Sequence, residues 1–135
     1  MGIANEVQIG GDHYKAAFQH WDFIAESFGS SYFKGVVTKY VFRWRKKNGV
    51  EDLRKAHHYV EKLIELCEND EVRQPLPWAD ASDFCHVNNV EGIDCTIFMA
   101  VVAAQDVHAL RDVEELLRRL IRHETGVESM GDAAA

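Results

Sequence analysis

The chain has 135 residues, 47% of them apolar and 27% charged, with a formal net charge of -7. That length suits one domain with a single core. The longest apolar run, near Ile97 to Ala104, is too short to span a bilayer, and no broad basic surface exists for general nucleic-acid binding.

The charge is unevenly divided. Residues 1 to 64 carry a balance of +3 and residues 65 to 135 a balance of -10. Nine of the fifteen Lys and Arg residues fall between Lys34 and Lys62. Such a local cluster in an acidic chain suits a ligand bearing one to three phosphates better than a polymer. The three cysteines, Cys67, Cys85 and Cys95, lack metal-type spacing and read as reduced thiols. No basic-then-apolar leader opens the sequence, so a cytoplasmic protein is expected.

Met1 to about Ile9 reads as a loose arm. Gly10-Gly11-Asp12-His13-Tyr14 is a tight polar turn, its glycines permitting backbone angles that other residues resist. Phe18 to Phe28 reads as a short aromatic helix, with Gly29 at its end. A second helix is expected from a cap at Ser30 or Ser31 to about Lys47. Its apolar residues Phe33, Val36, Val37, Tyr40, Val41 and Trp44 recur at helical spacing. Lys39, Arg43, Lys46 and Lys47 occupy another face. Asn48-Gly49 is a stop signal, and a third helix follows from about Glu51 to Glu68, folded back as an antiparallel hairpin.

Asn69 to Asn89 reads as irregular, with Pro75 and Pro77 marking a linker or functional loop and Trp78 favoured as a plug in the core. A fourth helix, about Glu91 to Ala104, is apolar nearly all round, which implies burial on most sides and subunit contact. A fifth, about Val107 to His123, carries Leu110, Val113, Leu116, Leu117, Leu120 and Ile121 on one stripe and closes at Thr125-Gly126. Val127 to Ala135 reads as a disordered tail. The expected class is all-α: one compact helical domain over residues 1–126, with a nucleotide-binding half at 8–66 and a packing and oligomerisation half at 67–126.

No Gly-x-x-x-x-Gly-Lys-Ser/Thr loop, Gly-x-Gly-x-x-Gly, Gly-x-Ser-x-Gly or Cys-x-x-Cys occurs. Any chemistry must use a less common constellation. Gly10 and Gly11 can converge backbone N–H groups on an anion, Asp12 can orient His13, and Tyr14 can stack on a base. A structural turn is the bland reading of the same residues. Lys39 and Arg43, four apart, can grip one phosphate together, although a solvated face has the same pattern. His57 and Glu61, also four apart, can share a proton or a metal, or simply pair on the surface.

Gly10-Gly11-Asp12-His13-Tyr14, Lys39-Tyr40-Val41-x-Arg43, Lys46-Lys47-Asn48-Gly49-Val50-Glu51-Asp52-Leu53-x-Lys55-Ala56 and Tyr59-x-Glu61-Lys62-Leu63, in this order, resemble the phage family DUF3310. The resemblance covers roughly residues 8 to 66. That family includes a small nucleotide kinase of short-tailed coliphages, which phosphorylates thymidine and deoxyguanosine monophosphates without the usual phosphate loop and forms a homo-oligomer. The resemblance implies a phage protein acting in the host cytoplasm, with a deoxynucleoside monophosphate and a triphosphate donor as partners and no nucleic acid or membrane. On this reading His13, Lys39 and Arg43 are catalytic. Gly10, Gly11, Asp12, Tyr14, Trp44, Lys46, Asp52 and Lys55 bind substrate, with Tyr14 or Trp44 stacking on the base. No cofactor is demanded; Asp52 or Glu51 would hold a divalent ion such as Mg2+ if the transfer uses one. Two alternatives stay open. One is a non-catalytic phage protein that binds a nucleotide or a host protein. The other is a MazG-like nucleotide pyrophosphohydrolase, partly matched by Glu51, Asp52, Glu61, Glu65 and Glu68.

Overall fold

A computed structural model of the chain describes residues 20, 23–24, 29–68 and 77–126. Among them are five helices and no strand: α1 (Ser30–Arg43), α2 (Val50–Glu68), α3 (Trp78–Val87), α4 (Gly92–Ala103) and α5 (Val107–Thr125). The all-α class expected from the periodicity is what the chain adopts. No helix among the described residues is long and apolar enough to cross a membrane. The Gly10–Tyr14 turn, the arm before it and the tail from Val127 lie outside the described residues. Of the expected Phe18–Phe28 helix, His20, Phe23 and Ile24 are described, and all three are helical.

Apolar spacing of three and four explains which faces turn inward. Phe33, Val37, Val41 and Trp44 line the buried side of α1 and its following turn. Leu53, Ala56, Val60 and Leu63 do the same on α2, and Leu110, Val113, Leu117 and Ile121 on α5. Ile97, Phe98, Val101 and Val102 of α4 complete one core shared by all the helices, with Cys85 from α3. Burying side chains of this size removes roughly 1.5–3 kcal/mol of apolar exposure each.

Helix α1 ends one turn earlier than expected. Its last α-helical residue is Arg43, and Trp44–Lys46 tighten into a single 3-10 turn. Neither Ser30 nor Ser31 caps its start; Gly29 holds that position at φ 73, with no side-chain cap. Gly35 sits inside α1, where glycine costs roughly 0.5–1 kcal/mol relative to alanine.

The α1–α2 connection is tied by Asp52, in the first turn of α2 and fully buried. Its carboxylate accepts from the Asn48 backbone N–H at 3.4 Å and the Asn48 side-chain amide at 3.2 Å. Arg43 Nε lies 3.4 Å from the same carboxylate. A carboxylate at a helix N-terminus also meets the positive end of the dipole. Arg45, next along the turn, points elsewhere: its guanidinium holds Asp94 of α4 through contacts at 2.8 and 3.3 Å.

The segment read as irregular up to Asn89 contains α3. Pro77 precedes the helix at φ -60, so it introduces the helix rather than breaking it. The periodicity was weak because Cys85 is the only buried residue of α3. Trp78 is 55% exposed and does not plug the core. Helix α5 is capped as its sequence demands. Asp106 accepts from the Ala109 N–H at 2.8 Å, and Gly126 adopts φ 72 just past the end.

His57 and Glu61 do not form the ordinary surface pair that their spacing allowed. His57 is buried between α2 and α5, with Nδ1 3.6 Å from Glu61 and Nε2 3.7 Å from Glu114. Arg118 Nε donates toward His57 Nε2 at 3.5 Å and its Nη2 lies 3.9 Å from Glu114. Burial pushes the Glu61 carboxyl up to about 7, with Glu114 adding to the rise. Burial pushes His57 down to about 4, helped by Arg118 and His58.

Two expectations follow from these contacts. Asp52→Ala leaves Arg43 and the Asn48 amides without their shared acceptor and should cost about 1–3 kcal/mol in urea unfolding; a loss below about 0.5 kcal/mol would contradict that role. For Glu61 the folded chain retains a proton between pH 4.5 and about 7 that the unfolded chain has released, so this group loses stability as pH rises through that window. His57 does the reverse between about 4 and 6.5. Glu61→Gln removes only the first slope. Its stability relative to the parent should grow from pH 4.5 to 7 and level off above, reaching about 1–3 kcal/mol. A constant difference across that range would refute the assignment.

Candidate functional site

The hairpin of α1 and α2 gathers three cations around one aromatic ring. Tyr40 is half-buried on α1, its ring 6.3 Å from that of Tyr59 on α2. Lys39 Nζ lies 4.8 Å from the Tyr40 ring centre, the Arg43 guanidinium carbon 5.0 Å and Lys55 Nζ 5.9 Å. Helical spacing explains the grouping: Lys39 and Arg43 are four apart on α1, and the antiparallel turn brings Lys55 of α2 opposite them. The ring's negative face offsets part of the repulsion among the three charges.

Two carboxylates lie close to this group. Asp52 takes Arg43, and Glu51 lies 3.8 Å from Lys55. Among the described residues Lys39 has no carboxylate partner. Lys46 and Lys47 are exposed on the turn that follows α1. The result is a local positive excess on a chain that is acidic overall.

The concentration of cations seen in the sequence nevertheless divides. Lys34 is fully buried and its ammonium donates to the Ala104 carbonyl at the end of α4. Burial pushes its pKa down. Lys62 is buried too, 3.9 Å from Glu65. These two support the packing. Lys39, Arg43, Lys46, Lys47 and Lys55 remain at the surface or half-buried.

A groove of about 370 Å³ opens next to the cation group, between α1, α3 and α4. Gly35, Thr38, Lys39 and Phe42 line it from α1, and Phe84 and Phe98 from α3 and α4. Phe84 stacks on Phe98 with ring centres 5.6 Å apart and meets Phe42 edge-on at 5.0 Å. Its volume falls within the range of roughly 300–1,000 Å³ usual for small-molecule sites. Lys39 belongs to both the groove and the cation group.

Several expected site residues take other positions. Gly10, Gly11, Asp12, His13 and Tyr14 lie outside the described residues, so their distance from Lys39 and Arg43 is not part of the geometry. Trp44 is only 4% exposed and the Arg45 guanidinium covers its ring at 4.2 Å, which leaves no open face for a base. Lys46 sits on the turn, away from the Tyr40 ring grouping, and Lys55 takes the third place there. Asp52 does not fit a metal ligand, because its buried carboxylate is already engaged by Arg43 and Asn48. Among the described residues no group of three or more His, Cys, Asp or Glu could hold a metal ion. The aromatic groove was missed in the sequence. Phe42, Phe84 and Phe98 are far apart along the chain, and the proline-marked segment containing Phe84 reads as a loop.

No curated protein and no solved structure matches the chain. Residues 10–61 match the family described as a protein of unknown function, DUF3310. That stretch covers less than half of the chain, but it holds α1, the turn and α2 as far as Glu61, and with them every cation grouped at Tyr40. Over that stretch the chain is similar to the DUF3310 family.

Proposed function

We propose that the chain binds a nucleotide through its phosphates and transfers a phosphoryl group to a deoxynucleoside monophosphate. The single observation that carries this reading is the convergence of Lys39, Arg43 and Lys55 on Tyr40, within 4.8 to 5.9 Å of its ring centre. Phosphoryl transfer asks a protein for positioning and charge stabilisation more than for covalent chemistry. Arg43, held in place by buried Asp52, presents a planar donor set suited to phosphate oxygens. Lys39 and Lys55 add mobile ammonium groups from two different helices, so an anion between them is approached from both sides. Their donors would neutralise charge on the ground-state phosphates and on the transferring group alike.

A second copy of the chain remains part of the proposal. Trp78, Val87 and Ile93 of α3 and α4 are exposed apolar residues that contact with a second copy would cover. Sedimentation that returns a monomer at all concentrations would remove this part and leave the phosphate reading intact.

The direct test uses Lys39→Ala and Lys55→Ala. Neither residue is in the core, so each should alter stability by no more than about 0.5 kcal/mol. Turnover of a deoxynucleoside monophosphate with a triphosphate donor, followed as diphosphate product, should fall on the order of 10²-fold for either variant. Parent-level turnover in both would reject the site. Tight nucleotide binding by the parent chain with no diphosphate formed would favour non-catalytic nucleotide capture over transfer.

A further inference from the structure

We infer that the groove between α1, α3 and α4 holds the base and sugar of the nucleotide whose phosphate is gripped at Tyr40. This rests on the phosphate reading above and adds to it the place of the uncharged end. Three observations converge. The groove is walled by aromatic rings, with Phe84 and Phe98 stacked at 5.6 Å and Phe42 set edge-on at 5.0 Å. Flat aromatic surface of this kind suits a nucleobase, since every base has a π-face to offer. Lys39 lines the groove and also stands 4.8 Å from the Tyr40 ring centre, so one side chain marks the junction between the apolar and the cationic parts.

The third observation is Gly35. It lies in the interior of α1, where glycine is a poor helix former, and it lines the groove. A Cβ built at Gly35 would meet nothing within 4 Å among the described residues. Its φ is also not in the left-handed region that would demand glycine. Among the described residues, neither close packing nor backbone geometry accounts for a glycine here. What its missing side chain provides is room in the groove. Asp80, on α3, is the acidic residue of the lining and disfavours a phosphate on its own side. The nucleotide therefore enters with its phosphate toward Lys39 and its base toward the exposed ring of Phe84, which is backed by buried Phe98.

Calorimetry on the full chain tests this with two probes, inorganic pyrophosphate and a 2′-deoxynucleoside 5′-monophosphate. Gly35→Leu projects a side chain into the groove and should weaken monophosphate binding at least tenfold while leaving pyrophosphate binding unchanged. Gly35→Ala, which a helix accepts readily, should give a smaller loss in the same direction and covers the case in which the leucine variant misfolds. With the parent chain, nuclear Overhauser contacts should run from base protons to the exposed Phe42 and Phe84 rings. Unchanged monophosphate affinity in both glycine variants would overturn the groove assignment and leave the phosphate site standing. Contacts from the base to Tyr40 alone would do the same. A parent chain that binds neither probe would overturn the phosphate reading, and this inference with it.

Discussion

The buried carboxylate of Asp52 is the constraint from which the rest of the site follows. It joins the last residue of α1, the turn residue Asn48 and the first turn of α2 at a single point. A carboxylate with no exposure is costly to bury unless it is fully engaged. Here Arg43 supplies opposite charge, and Asn48 supplies amide donors from both its backbone and its side chain. Closing the hairpin in this way aligns α1 against α2, so that Lys39 and Arg43 face Lys55 across Tyr40. The positive excess at the surface is thus held by a negative charge beneath it.

The second half of the chain meets this hairpin at two places. Arg45 leaves the turn to hold Asp94 on α4, and Lys34 reaches inward to the carbonyl of Ala104 at the other end of α4. Both contacts fix α4 against α1, and α4 in turn carries Phe98 to the stacked pair with Phe84. The groove beside Lys39 depends on these attachments. On the opposite side of α2, the His57 cluster with Glu61, Glu114 and Arg118 sets α5 in place. Its proton balance makes that contact sensitive to pH without involving the cation group.

Much of the fold was legible because three helices carry apolar residues at intervals of three and four. Phe33, Val37 and Val41 of α1, Leu53, Val60 and Leu63 of α2, and Leu110, Val113 and Leu117 of α5 announced both the helices and their buried faces. Asn48-Gly49 announced the hairpin. Helix α3 was not legible, since one buried residue leaves no stripe and two prolines precede it. Lys39, Arg43 and Lys55 could be picked out as cations on helices, but Lys34 and Lys62 looked the same in sequence and are buried. Which lysine turns inward depends on tertiary neighbours such as Ala104, whose carbonyl accepts from Lys34. Trp44 illustrates the same limit: its spacing fitted both the core stripe and a base-stacking role, and the packing chose the core.

The account turns on a nucleotide phosphate bound where α1 and α2 face each other. The most direct measurement is a structure of the chain with a deoxynucleoside monophosphate bound, read at the phosphate oxygens. The account places them within hydrogen-bonding distance of Arg43 and of at least one of Lys39 and Lys55, beside the Tyr40 ring. Phosphate oxygens found elsewhere, with the Lys39, Arg43 and Lys55 donors untouched, would contradict it.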